Sequence, residues 1–200
     1  MSKSRSLTPS EISLAKSIFS NSIDYTLVKI YDGKYMPFQP YASGMTPNGR
    51  IYVNGIYKKD YGITKDEIKA FFIHEMVHVY QYQLKILNLI GSAIGSSLKN
   101  GFNYTQSYQY RLDANKDLLD YGIEQQAQII EDYYRVCFVD LDPFKNYMQN
   151  DLVEVKRENL FEKVLKKFIE NPSYAKHDFV CRRKLMGKSR KLSCSRVLVK

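Results

Sequence analysis

The sequence of 200 residues is poor in cysteine and has no long apolar run. Its three cysteines, Cys137, Cys181 and Cys194, form no CxxC pair, and their odd number excludes a complete disulfide framework. This count is typical of a chain made in a reducing compartment. The most apolar segment, residues 86–98, contains Asn, Gly and Ser and is too short to span a bilayer, so we expect no transmembrane segment. The polar N-terminus lacks the apolar core of a signal peptide, so action outside the cell would require another route of export.

Positive charge is abundant but concentrated at one end of the chain. The net charge is +9, and residues 176–200 hold nine basic residues and one acidic residue, a net of +8. We therefore predict one folded domain over residues 7–175 and a basic, flexible tail over residues 176–200. The near-neutral body argues against specific nucleic-acid binding. Contact of the tail with an anionic polymer, a membrane or a protein partner is the alternative to a merely solvated end.

The first part of the chain predicts a short helix and a small sheet. Thr8 as N-cap, Pro9 at the first helical position and Glu11 three residues after the cap predict a capped helix. Residues 25–33 and 51–53 have the composition and alternation of strands.

Longer helical patterns follow. Thr64 as N-cap and Glu67 as its capping partner predict the start of a helix over residues 64–85. A second strong helix is predicted from about residue 120 to 138, and one or two more helices end before Pro172. The sequence therefore predicts a single α+β domain that is mostly α, with a small N-terminal sheet.

Two of the three histidines lie in the segment FFIHEMVHVYQYQ, residues 71–83. His74 and His78 are four residues apart, so one face of a helix presents both imidazoles. They supply two of the three protein ligands of a catalytic zinc site, which leaves one position for water. Glu75 is placed to act on that water as a general base. The alternative is a core helix whose histidines bond to backbone or tyrosine, but burying three such polar groups without a metal is costly. We therefore predict one Zn²⁺ per chain.

The third ligand is predicted to be a carboxylate, because His177 is the only other histidine and no cysteine spacing fits. Glu124, near the start of the second strong helix, is the first candidate, and Glu131, two turns later, is the second. Gln128, one turn from Glu124, is a candidate to donate a hydrogen bond to that ligand. The alternative role of Glu124 is stabilisation of the helix N-terminus by its charge.

HEMVH followed by EQQA on a separate helix resembles the gluzincin branch of zinc metallopeptidases, whose third ligand is a downstream glutamate. Four blocks in the same order resemble, more closely, bacterial zinc peptidases that are related to valine–glycine-repeat proteins and associated with type VI secretion. These blocks are LTPSEISLAKSIFSNSIDYTLVKI, MTPNGRIYV, FFIHEMVHVYQYQ and DYGIEQQAQIIEDYY. The resemblance covers residues 7–135. It implies a zincin-like fold in which His74, His78 and Glu124 bind zinc and Glu75 is the base.

Gluzincins usually add a tyrosine or histidine that stabilises the oxyanion of the tetrahedral intermediate. The sequence does not choose among Tyr108, Tyr110, Tyr133 and His177 for this role.

The resemblance implies a zinc metallopeptidase, a hydrolase of amide bonds in protein or in the peptide stems of peptidoglycan. It further implies synthesis in the bacterial cytoplasm, and either export as a type VI secretion effector or action at the cell envelope. The alternative is a non-catalytic binding or adaptor module of the secretion apparatus that zinc stabilises. Oligomeric state is not predicted by the sequence.

Overall fold

The computed structural model of the chain describes residues 3–86, 107–144, 146–150 and 154–176. His177 and nearly all of the basic tail lie outside these residues. The division into a domain over 7–175 and a tail over 176–200 therefore stays a prediction.

Four α-helices and four short strands form an α+β architecture in the described part of the chain, with more helix than strand. The helices are α1 (Pro9–Phe19), α2 (Asp66–Gln83), α3 (Ile123–Phe138) and α4 (Glu154–Glu170). The strands are β1 (Lys3–Ser6), β2 (Lys29–Asp32), β3 (Ser43–Met45) and β4 (Arg50–Asn54). The predicted α+β class and the small N-terminal sheet are confirmed.

The sheet has the strand order β1-β2-β4-β3, so β3 lies at one edge. β2 and β4 are parallel, with Ile30 opposite Ile51, and the two outer pairs are antiparallel. Because side chains alternate between the faces of a sheet, Ile30, Ile51 and Val53 point into the core and are at most 1% exposed. Gly44 of the edge strand pairs with Val53 and therefore shares this inward face.

The predicted cap of α1 is confirmed. Glu11 donates its backbone N–H to the Thr8 hydroxyl over 3.2 Å, and the Glu11 carboxylate accepts from the Thr8 N–H over 2.9 Å. The same carboxylate is fully buried and accepts two bonds of 2.7 Å from the Arg5 guanidinium. It also accepts from the backbone of Tyr61. One side chain thus joins α1 to β1 and to the segment that leads into α2.

The predicted cap of α2 is wrong. The helix begins at Asp66, with Lys65 at the N-cap and no side-chain cap bond. The Thr64 hydroxyl donates instead to the Tyr61 carbonyl over 2.6 Å, so it is not available to a helical N–H.

Two other predicted elements are shorter than expected. Residues Tyr25–Leu27 form a turn of 3-10 helix, so only Lys29–Asp32 of that segment is a strand. Likewise Leu118–Asp120 is a 3-10 turn that the Asp117 side chain caps, and α3 begins three residues later than predicted. In both places an aspartate side chain bonds the local backbone and favours a turn over the regular element.

Three aromatic rings hold α1, α2 and α4 together. The Phe19 ring lies 5.7 Å from that of Tyr80 and 6.1 Å from that of Phe168, and the last two are 5.6 Å apart. All three are at most 1% exposed. The Tyr80 hydroxyl donates to the Pro172 carbonyl, which satisfies the polar end of this ring in the core. Among the described residues, no helix is both long enough and apolar enough to cross a membrane.

Candidate metal centre

α2 presents His74 and His78 to the first turn of α3, which carries Glu124. The Glu124 Oε2 atom lies 3.2 Å from Nε2 of His78 and 3.8 Å from Nε2 of His74. One ligand atom from each residue falls within 4.8 Å of the others. The structure therefore brings together the three residues that the sequence nominates as ligands.

Gln81 fixes the distance between the two helices at this point. Its Nε2 atom donates to the Ile123 carbonyl over 3.0 Å and to Gln126 Oε1 over 3.1 Å. Gln126 in turn donates to the Tyr121 carbonyl just before α3. Gln81 is fully buried, so this amide network clamps α2 to the turn that carries Glu124.

The outer nitrogen of each imidazole also has a partner. His74 Nδ1 lies 3.0 Å from Glu131 Oε2, and His78 Nδ1 lies 2.9 Å from Gln81 Oε1. A carboxylate and an amide oxygen only accept, so both Nδ1 atoms donate, and a neutral ring then keeps its lone pair on Nε2. Glu131, the second candidate for the third ligand, is thus placed on the outer nitrogen of His74, where it orients that ring.

The donor set fits a divalent cation. Glu124 Oε2 is buried and has no hydrogen-bond partner in the described part of the chain. If both imidazoles are neutral, their Nε2 atoms offer it no proton. Two imidazole lone pairs and a carboxylate oxygen then face one another, an arrangement of acceptors that a positive charge stabilises. Two nitrogens and one carboxylate oxygen are the ligands of a common class of zinc sites.

Protons can supply this charge when no metal does. Burial alone would lower the pKa of His74, but the nearby carboxylates of Glu124, Glu131 and Glu75 outweigh burial and raise the pKa to about 10. Burial likewise opposes the charge of Glu124 at His78, and the pKa of His78 is raised. Burial would raise the pKa of Glu124, but the two histidines hold that pKa well below its ordinary value. The carboxylate therefore stays ionised and attracts either protons or a cation.

Glu75 lies beside this cluster in a site of its own. Glu75 is only 4% exposed, and its Oε2 atom accepts a hydrogen bond of 2.5 Å from the Thr46 hydroxyl. A side chain at Gly44 would overlap the Glu75 carboxylate. The glycine therefore leaves room for this carboxylate on the inward face of β3. The charge of Glu75 is a smaller contribution to the raised pKa of both histidines.

Two of the remaining candidates have different neighbours from those expected. Gln128 is buried, but its Nε2 makes no hydrogen bond to Glu124 within the described ranges. The Tyr110 hydroxyl donates to Asp132 Oδ2 over 2.7 Å in the core, so this hydroxyl is already engaged by another side chain. Burial, followed by the charge of Glu131, raises the pKa of Asp132 to about 7.

Tyr108 is the candidate tyrosine that the structure places against a predicted ligand. Its ring stacks on that of His74 with centroids 5.7 Å apart and planes inclined by 28°. Tyr133 packs on Phe138 and Phe161, towards α4. The sequence offered no means of separating these tyrosines, because their positions depend on the long-range packing of α2, α3 and α4.

The sequence also gave no role to Gln81 or Thr46. Gln81 follows His78 by three residues, so helical spacing alone could have placed it near that imidazole. Thr46 is separated from Glu75 by 29 positions in the chain, and no local pattern connects them.

Comparison with known proteins gives two related matches, and no family model matches the chain. The chain is 36% identical over 168 residues to the type VI secretion system spike protein VgrG2b of Pseudomonas aeruginosa. That match covers 82% of the chain but only 15% of the spike protein. The solved effector domain of Pseudomonas aeruginosa VgrG2b shares 33% identity and a TM-score of 0.62, over 80% of the chain and 83% of that domain. The predicted relation to type VI secretion is confirmed.

Proposed function

Because the chain belongs to the family of the Pseudomonas aeruginosa VgrG2b effector domain, we propose that it is a type VI secretion effector that hydrolyses amide bonds with the aid of zinc. The observation that carries this proposal is the convergence of His74, His78 and Glu124 beside the buried carboxylate of Glu75. An HExxH helix, a glutamate on a second helix and a small sheet with a nearby edge strand also support a zincin-like fold.

The metal would be held by the Nε2 atoms of His74 and His78 and by the carboxylate of Glu124. When bound, a zinc ion lowers the pKa of a coordinated water and polarises a substrate carbonyl. Glu131 and Gln81 keep the imidazoles in the tautomer that can bind a metal, since each accepts the Nδ1–H bond. The chain thus supplies both the ligands and the groups that orient them.

Glu75 is proposed as the general base. It neighbours a ligand in the sequence but has its own hydrogen bond to Thr46, so it is free of the ligand set. It would take a proton from the attacking water and deliver it to the leaving amine. Tyr108 is the preferred oxyanion stabiliser over Tyr110 and Tyr133, because its ring lies against His74. His177 stays a prediction for this role.

The substrate is proposed to be a polypeptide or the peptide stem of peptidoglycan. Both contain the amide bond that this chemistry cleaves, and both are accessible to a protein that a secretion apparatus delivers to a neighbouring cell or to the envelope. The chain spans 15% of the spike protein it matches, so partners within the apparatus also belong to this proposal.

The test compares wild type, His74→Ala, Glu75→Gln and Glu67→Gln. Glu67 is an exposed acid on the same helix and serves as the matched control. We expect about one zinc per chain in all except His74→Ala. Glu75→Gln should slow cleavage by roughly 10²- to 10⁴-fold, whereas Glu67→Gln should match wild type.

Products are identified by mass spectrometry after digestion of purified peptidoglycan and of a denatured proteome. A wild-type protein that holds no zinc would overturn the proposal. A zinc-loaded protein that cleaves neither substrate would instead favour the adaptor module, which uses the metal only for stability.

A further inference from the structure

The turn between β3 and β4 packs closely against α2. Asn48 and Gly49 have φ angles of 54° and 69°, in the left-handed region that favours glycine. A Cβ atom on Gly49 would come within 2.6 Å of the Tyr82 ring. The backbone of the turn therefore packs directly on α2 at Tyr82, which lies two helical turns after Glu75.

This approach brings the first residue of the turn, Thr46, onto the Glu75 carboxylate. Thr46 is 9% exposed, and its hydroxyl donates to Oε2 over 2.5 Å. On the other side, Gly44 leaves the space that Oε1 and the end of the carboxylate fill. The carboxylate is thus confined by a hydroxyl at one oxygen and by bare backbone at the other.

We propose that Thr46 is a positioning residue for Glu75: its hydrogen bond to Oε2, with the close backbone of Gly44 on the other side, fixes the plane of the carboxylate that takes the proton. This inference rests on the proposed function, because it concerns the base of that reaction. A carboxylate can rotate about its last bond, and a hydrogen bond to one oxygen fixes the angle at which the group meets the water. Misplacing a catalytic group by about 1 Å reduces a rate on the order of a hundredfold.

The competing explanation is that Thr46 only satisfies a buried carboxylate and stabilises the fold. The two explanations differ in what they affect. A stabilising role changes the unfolding midpoint, whereas a positioning role changes proton transfer at constant zinc content and constant substrate binding.

The experiment uses the full chain loaded with zinc, in the variants Thr46→Val, Thr46→Ser, Gly44→Ala and Ser43→Ala. Thr46→Val keeps the shape and removes the hydroxyl, and Thr46→Ser restores the hydroxyl. Gly44→Ala displaces the carboxylate from the opposite side and provides a second test if Thr46→Val folds poorly. Ser43→Ala is the matched control, because that hydroxyl donates to the Pro40 carbonyl, away from the site.

We expect Thr46→Val and Gly44→Ala to lower kcat by about 10- to 100-fold at nearly unchanged KM. This loss is smaller than that of Glu75→Gln, and Thr46→Ser and Ser43→Ala should remain within about threefold of wild type. A second readout needs no turnover: acetohydroxamate chelates zinc and bonds to an adjacent carboxylate. Its affinity should fall about tenfold in Thr46→Val, as the loss or distortion of one charged hydrogen bond predicts, and recover in Thr46→Ser.

Each outcome decides between the explanations. Normal zinc content with kcat and hydroxamate affinity unchanged in both Thr46→Val and Gly44→Ala overturns the positioning role and leaves the proposed function standing. Loss of zinc or of stability in proportion to loss of activity favours the purely structural role. A wild-type protein without zinc overturns the proposed function and this inference together.

Discussion

Zinc binding should displace protons from the site, and the structure predicts how many. In the metal-free protein the pKa of His74 is about 10, because burial lowers it less than the carboxylates around the ring raise it. At pH 7 this ring is therefore protonated, whereas Glu124, with its depressed pKa, is already ionised. A metal ligand must be neutral imidazole, so each zinc that binds must release one proton from His74. His78, whose pKa is also raised, brings the expected number to between one and two.

The energetic consequence is large enough to measure. Removing a proton at pH 7 from a group with a pKa near 10 costs about 4 kcal/mol, which reduces the apparent zinc affinity on the order of a thousandfold. The apparent affinity should therefore rise roughly tenfold per pH unit from pH 7 to 9 for each proton released.

Protonation of His74 also affects the free energy of unfolding of the metal-free protein. The pKa of His74 lies above its ordinary value of 6.5, so the stability it contributes is fully present below that pH and is lost as the pH rises through about 10. Between pH 7 and 9 the loss should be about 2–3 kcal/mol. Zinc-loaded protein should not show it, because the cation replaces the proton.

Isothermal titration calorimetry in buffers with different enthalpies of protonation counts the protons directly, and urea unfolding with a chelator measures the stability. The control is Glu131→Gln, in which one of the groups that raise the pKa of His74 is removed, so fewer protons should be released per zinc. Zinc binding at pH 7 that releases no proton would refute the assignment of His74 as a ligand held between two carboxylates.

Three other predictions follow from single contacts. Glu131→Gln should weaken zinc binding about 10- to 100-fold once the affinity, measured in competition with a chromogenic chelator, is corrected for the protons released, because Glu131 orients His74; a corrected affinity equal to wild type would contradict this role. Phe168→Ala should lower the free energy of unfolding by about 3–5 kcal/mol, measured in urea, whereas the exposed Ile169→Ala should change it by less than about 1 kcal/mol. Because burial raises the pKa of Asp132 from 3.8 to about 7, its ionisation destabilises the native state as pH rises through this range. Metal-free Asp132→Asn should therefore lose less stability than wild type between pH 4 and 8, and parallel pH profiles would contradict that origin.

The parts of the site that the sequence predicts are those encoded over a few residues. The spacing of His74 and His78 places both on one helical face whatever the rest of the chain does. Glu124 required a second step: its helix was predictable, but it was chosen as a ligand because no other histidine or cysteine spacing fits, and a resemblance then implied the same residue. The capped start of α1 was predicted for the same local reason, since Thr8 and Glu11 need only each other.

The parts that failed or stayed open depend on partners that compete for the same group. Thr64 has the sequence of a cap, but the Tyr61 carbonyl, three residues earlier in the chain, takes its hydroxyl. The candidate tyrosines are chemically equal in the sequence, and only the packing of α3 shows that Asp132 engages the Tyr110 hydroxyl. The partner of the Tyr110 hydroxyl is decided by tertiary structure, which a motif does not contain.

Two adjacent buried acids on α3 show how one helix serves both the core and the site. Consecutive residues on a helix point in directions about 100° apart, so Glu131 and Asp132 face different neighbours. Glu131 bonds to the imidazole of His74, and Asp132 accepts from the Tyr110 hydroxyl and from the Phe144 N–H. The repulsion between two such charges in the core is relieved if Asp132 holds a proton, which its raised pKa favours, while Glu131 stays next to a positive centre. A cation or imidazolium at the site therefore stabilises not only its ligands but also a pair of acids that would otherwise be unfavourable in the core.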